Sequence, residues 1–165
     1  MAAEGGSLGA RMMGAALLSV DTFEAVEHDR NATMQAATVV MIVAACEAIG
    51  AAERGLGGAV TAAAAALIAW VAWAGITYLI GDKVFGGTAT WGELLRTLGF
   101  AQAPGVLYLL AIVPLLGWPV PFFVSLWIVV AGFIAIRQAL DIGNAKTFLT
   151  MLVGGVVYGV LHAIF

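Results

Sequence analysis

Few residues in this chain have chemistry to offer. Glu24 and His28 stand four apart, which places a carboxylate and an imidazole on one helix face, within reach of a divalent cation. Asp21, Glu27 and Asp29 lie close by as further oxygen donors. With one histidine in that stretch, an acidic face turned to water explains the same pattern. Glu47 sits in an apolar run between AAC and AIGAA. A charged group at mid-bilayer costs roughly 2.5–3.5 kcal/mol on insertion scales. Glu47 therefore marks a proton or cation site, a partner for a basic group, or a span end reaching water beside Glu53 and Arg54. Gln102 opens another apolar run, where it bonds a neighbouring helix or lines a pathway. Ser19 and Ser125 have no histidine–carboxylate context, His162 stands alone near the carboxyl end, and the single Cys46 excludes an internal disulfide. No HExxH, GxSxG or Walker loop is present. The sequence thus assigns no catalytic residue, no metal site and no cofactor, and predicts that the protein is not an enzyme.

The elements that must carry these residues follow from composition. Hydrophobic residues make up 62% of 165 and charged residues 10%. Mean hydropathy is +1.03. A soluble domain carries roughly 25% charged residues, so most of this surface must face lipid or other apolar helices. The expected class is an all-α polytopic membrane bundle. A net charge of −3 without a basic patch excludes a nucleic-acid partner and a polybasic lipid anchor.

Residues 1–11 read as disordered, and Met13, Ala16, Leu17, Val20 and Phe23 recur at helical spacing. That predicts one surface helix over 12–30 with an acidic outer face, retained rather than cleaved as a signal peptide. Residues 1–31 then form an amino-terminal segment and 32–165 a five-span domain. The spans are expected at Ala32–Ala52, Ala59–Ile80, Phe100–Gly117, Pro119–Ile136 and Thr147–Phe165, each close to the roughly 17–25 residues a crossing needs. Pro119 and Pro121 suit a first helical turn, whereas Pro114 should kink or end the third span. Arg137 and Asp141, four apart, are expected to pair. Gly155 and Gly159 form GxxxG, and Ala44, Ala48 and Ala52 repeat every four residues, both suited to close helix packing. Arg11, Arg30, Lys83, Arg96, Arg137 and Lys146 fall on one side and only Arg54 on the other. The positive-inside rule then puts the amino terminus in the cytoplasm and the carboxyl terminus outside.

The most specific stretch is GGTATWGELLRTLGFAQAP, residues 86–104. Thr90 and Glu93 have capping-box spacing. Trp91, Leu94, Leu95 and Leu98 form an apolar stripe with Glu93, Arg96 and Thr97 off it, which predicts a short interfacial amphipathic helix anchored by Trp91. The run TWGELLRTLGFAQAP resembles the core signature of the Yip1 domain family. Its Thr90, Trp91 and Glu93 precede the Gly99–Phe100 pair, and Pro104 follows. The resemblance implies a five-span protein with a cytoplasmic amino terminus. Eukaryotic members act in vesicle traffic and contact small GTPases. This chain has a short amino-terminal segment and reads TVVMIVAACEAIG where their first span carries an Asp-Leu-Tyr-Gly-Pro motif, so GTPase binding is not carried over. It is more similar to the compact prokaryotic members, which places it in a bacterial inner membrane.

Two functions fit these readings. One is a membrane scaffold or accessory subunit, as a homo-oligomer or within a larger membrane complex. The other is a small oligomeric transporter, channel or lipid-moving protein using Glu47, Gln102 and the Pro-interrupted third span. A metal sensor built on Glu24 and His28 is the weakest.

Overall fold

The structure is a computed structural model that describes residues 6–50 and 56–164, the side chains of 56–59, 62 and 157–164 excepted. Among the described residues seven α-helices follow one another: α1 (Leu8–Ala16), α2 (Val20–His28), α3 (Ala32–Gly50), α4 (Leu56–Tyr78), α5 (Trp91–Phe100), α6 (Pro119–Leu140) and α7 (Asn144–Ile164). A π-helical stretch, Leu79–Val84, extends α4, and a 3-10 helix, Ala103–Ile112, extends α5. There is no strand among the described residues. Among the described residues four stretches are long and apolar enough to cross a membrane: Ala32–Gly50, Ala63–Val84, Trp91–Ile112 and Pro119–Leu140. The expected fifth span corresponds to α7, whose second half lies outside the described side chains. Ala52, Glu53 and Arg54 also lie outside the described residues.

The amino-terminal segment departs from the single helix expected over 12–30. Leu18 adopts a left-handed conformation (φ 62°) and splits it into α1 and α2. The Leu18 amide donates to the Ala15 carbonyl and the Ser19 amide to Gly14, the bond pair of a Schellman stop, with leucine where glycine is usual. Ser19 then caps α2 by accepting from the Thr22 amide at 3.3 Å. Periodicity carried no trace of this break, because apolar spacing runs through it. As a result Met13, Leu17 and Val20 are exposed while Ala15, Phe23 and Val26 are buried. Order also begins earlier than expected, with Ser7 capping α1 and Arg11 buried.

The third crossing differs in a second way. The Thr90–Glu93 capping box forms in both directions, at 3.3 and 2.7 Å. The helix it starts is not an interfacial ribbon, however. Leu94, Arg96, Thr97, Leu98, Gly99 and Phe100 are all buried within the bundle. The crossing therefore starts at Trp91, and the structure does not separate an interfacial helix from it. Pro104, without an amide hydrogen, lies in the first turn of the 3-10 helix. Val113 is extended (ψ 119°) in front of Pro114, which ends that helix as the proline predicted. Pro119 occupies the first turn of α6.

Small residues bring α3 against this crossing. A Cβ built on Gly99 would lie 2.7 Å from the Ala36 Cβ and 3.2 Å from the Ala36 carbonyl oxygen. A Cβ at Gly105 would collide with Val43, and one at Gly50 with the Tyr108 carbonyl. Gly155 behaves differently: it is exposed and a Cβ there meets nothing within 4 Å, while its neighbour Gly154 is buried. Gly159 falls outside the described side chains. Gly99→Val should therefore push α3 from α5 and destabilise the bundle by about 1–3 kcal/mol, read as a lower thermal unfolding midpoint in detergent. Gly155→Ala should leave the midpoint unchanged, and equal midpoints for the two variants would refute this packing role.

Candidate functional site: the polar end of the bundle and the cleft beside it

Polar side chains concentrate where α2, α5, the end of α6 and the start of α7 meet. Helix α2 ends at His28 without a glycine behind it, so its last carbonyls need partners from elsewhere. Arg96 of α5 supplies them. Its Nε donates to the Val26 carbonyl at 3.0 Å and the Glu27 carbonyl at 2.9 Å, and an Nη also donates to Glu27. Arg96 is 6% exposed, and its guanidinium sits at the negative end of α2's peptide dipoles. Sequence spacing had put Arg96 on the polar side of α5. The only signal for burial was the missing glycine cap of α2.

A second arginine closes the other side of the hairpin. Arg11 of α1 donates to the Asp29 carboxylate at 2.6 Å and to the Gln35 side-chain oxygen at 2.9 Å. The other Asp29 oxygen accepts from the Asn31 amide. The Arg11 guanidinium, followed by that amide, holds the Asp29 carboxyl below its usual range. Burial raises Glu27, with the carboxylates of Glu93, Asp141 and Glu24 adding to the rise. His28 is raised by its ring nitrogen's bond to the Glu24 carbonyl and by the charge of Glu27.

The expected pairs rearrange here. The Glu24 carboxylate accepts from Gln138 at 3.1 Å, and His28 faces the Glu24 backbone rather than its carboxylate. Among the described residues no group of three or more His, Cys, Asp or Glu side chains comes together around a metal position. Arg137 does not pair with Asp141. Asp141 leaves α6 in the left-handed conformation (φ 50°), and its carboxylate accepts from the Thr88 hydroxyl at 3.2 Å. Lys146 donates to the Phe85 carbonyl.

Beside this polar end, α4, the 3-10 helix, α6 and α7 enclose a cleft of about 700 Å³. Trp70, Trp73, Ile128 and Met151 supply most of its apolar wall, and Gln102, Tyr108 and Ser125 its polar atoms. The Tyr108 and Ser125 hydroxyls lie 3.0 Å apart. Trp70 spends its indole N–H on the Leu95 carbonyl, leaving its ring to line the space. Gly155 lies at this cleft rather than at a helix crossing. Of the two candidate pathway residues, Gln102 lines the cleft and Glu47 does not. Glu47 is exposed on α3, one turn before its end at Gly50. The cleft's walls can hold the apolar body of a molecule while Gln102, Tyr108 and Ser125 hydrogen-bond a polar group on it, and among the described lining residues no base stands beside either hydroxyl.

The family model described as the Yip1 domain matches residues 13–164. The chain belongs to the Yip1 domain family. No curated protein and no solved structure matches it. Together with four apolar helical crossings, membership makes this Yip1-family chain an integral membrane protein. The residues that carried the resemblance have clear places: Thr90 and Glu93 start α5, Gly99 sets its distance from α3, and Phe100 and Pro104 are buried. Trp91, by contrast, is exposed.

Arg96→Met keeps the side chain's length but leaves the Val26 and Glu27 carbonyls without donors, a loss of about 1.5–3 kcal/mol for bonds to a charged group. Limited proteolysis should then cut the amino-terminal hairpin faster, with Arg96→Lys intermediate because it keeps charge but not the fork. Unchanged cleavage in Arg96→Met would exclude the capping role. Asp29 has a folded pKa below its unfolded value, so its stabilisation is complete above the ordinary carboxylate pKa. It is lost as pH falls through the lowered folded value. Asp29→Asn should flatten the acid limb of a stability–pH curve, and a superimposable limb would remove Asp29 from this account.

Proposed function

We propose that this Yip1-family protein is a non-enzymatic scaffold or accessory subunit of a membrane complex, working as a homo-oligomer or with other membrane proteins. The observation that carries this reading is the use made of its polar groups. Arg11 and Arg96 hold helices to one another, Asp141 ties the end of α6 to the loop before α5, and Thr90 with Glu93 cap α5. What the bundle offers outward is broad apolar helix surface, including Phe122, Phe123 and Leu126 on α6 and Phe148, Leu149 and Leu152 on α7. Such faces serve lipid and other membrane helices alike. The bacterial inner membrane is the proposed location, with the amino terminus in the cytoplasm and the carboxyl terminus outside. The contacts of Arg11, Arg96 and Lys146 at one end of the bundle support that orientation.

A second reading, a small oligomeric transporter, channel or lipid-moving protein, draws on the cleft and on Gln102. Glu47 gives it no support, because it stands outside the cleft.

Purification in native nanodiscs, with mass spectrometry of what stays bound, separates the two. A stoichiometric membrane-protein partner, or a stable homo-oligomer carrying only bulk lipid, is the expected result. A single retained small molecule or lipid species, displaced by Gln102→Ala, would overturn the scaffold reading. A reporter fused after Phe165 and active only in the cytoplasm would overturn the orientation.

A further inference from the structure

The amino-terminal hairpin does not lie on top of the bundle. The indole N–H of Trp127 donates to the Ala16 carbonyl, the last residue of α1, at 2.9 Å. Trp127 is far from the polar end of α6. Arg137 lies ten residues beyond it, which at 1.5 Å per residue is about 15 Å along the helix. At the opposite end Trp118, 77% exposed, takes the place of an interfacial aromatic. Between Trp118 and Arg137 the helix covers roughly the 30 Å of a hydrocarbon core. The end of α1 is thus fastened near the middle of that stretch.

Two independent features fit such a position. Helix α1 and its turn present Met13 (62% exposed) and Leu17 (70% exposed) outward, followed by Val20. The turn also pairs part of its backbone internally. The amides of Leu17, Leu18 and Ser19 donate to Met13, Ala15 and Gly14, and the Ala16 carbonyl takes Trp127. Each of these internal bonds lowers the cost of placing the turn in hydrocarbon, where water cannot pair the backbone. The one charged side chain buried on α1, Arg11, is paired with Asp29. Helix α2 has the opposite outer face. Asp21, Glu24 and His28 are exposed, and Glu24 meets Gln138 beside the end of α6.

We propose that the α1–α2 hairpin is a wedge in one membrane leaflet, with α1 facing acyl chains on the Arg137 side and α2 facing water. The Trp127–Ala16 bond sets the apolar face of α1 beside Trp127 on α6, and Phe123 and Val130, one turn to either side of Trp127, are exposed as well. The occupant of that face is therefore lipid rather than a soluble partner. Because the wedge has no counterpart from the same hairpin in the other leaflet, it adds area to one leaflet only.

Spin labels test this in the full chain, reconstituted in phosphatidylethanolamine–phosphatidylglycerol liposomes on a Cys46→Ala background. Met13→Cys and Leu17→Cys carry the test label, Val130→Cys the lipid reference and Glu24→Cys the water reference. The expected result is that Met13→Cys and Leu17→Cys collide with oxygen and are shielded from a water-soluble nickel chelate, as at Val130→Cys and severalfold unlike Glu24→Cys. Nickel access equal to that at Glu24→Cys would place the hairpin in water and overturn the wedge. Shielding from both reagents would show a protein surface covering α1, a second copy or a partner, and would overturn it equally.

Discussion

One guanidinium ties the two parts of this molecule together. Arg96 reaches from the third crossing to the carbonyls that close α2, and so joins the amino-terminal hairpin to the membrane bundle. A positive charge in so apolar a chain is costly unless every donor is used and an opposing potential surrounds it. Here Nε and one Nη donate to two backbone carbonyls at a helix terminus, and the carboxylates of Glu27 and Glu93 lie close by. The capping box one turn earlier fixes where α5 begins and therefore where Arg96 points. Other contacts of the hairpin, through Arg11, Glu24 and Ala16, follow from the position that Arg96 gives α2.

Where polar bonds end, close contact of backbones takes over. Between α3 and the third crossing the interface is built by omission of side chains at Gly50, Gly99 and Gly105. In lipid there is little hydrophobic gain from bringing two apolar helices together, so shape and distance must supply the attraction. This explains why the glycine of the family signature matters even though it touches no ligand. The family's recognisable stretch is a device for starting a helix, capping its neighbour and seating it against α3.

Much of this plan was legible from residue types, because proline, capping residues and long apolar runs act locally. Thr90 with Glu93, Pro114, Pro119 and the apolar runs all behave as their chemistry demands. What was illegible depends on partners distant in sequence. Arg96 looked like a surface charge because the carbonyls it serves lie about seventy residues earlier. Leu18 gave no warning of its left-handed turn, since leucine is a poor choice there and only the surrounding contacts hold it. Arg137 and Asp141 had ideal spacing, but α6 stops before Asp141 can use it. Gly155 satisfied a packing motif yet faces the cleft, because a motif specifies that helices can approach and not that they do.

The 3-10 winding of Ala103–Ile112 has a dimensional consequence. Such a helix rises about 2.0 Å per residue against 1.5 Å for an α-helix, so ten residues reach about 5 Å further than α winding would allow. The third crossing, 22 residues like Pro119–Leu140, is thereby longer than α winding of the same residues would make it. Rewinding it as α-helix would draw Val113–Trp118 inward by that same distance and shorten the apolar belt on one side of the bundle. The thickness of bilayer that this protein matches is therefore set by the pitch of one helix as well as by its residue count.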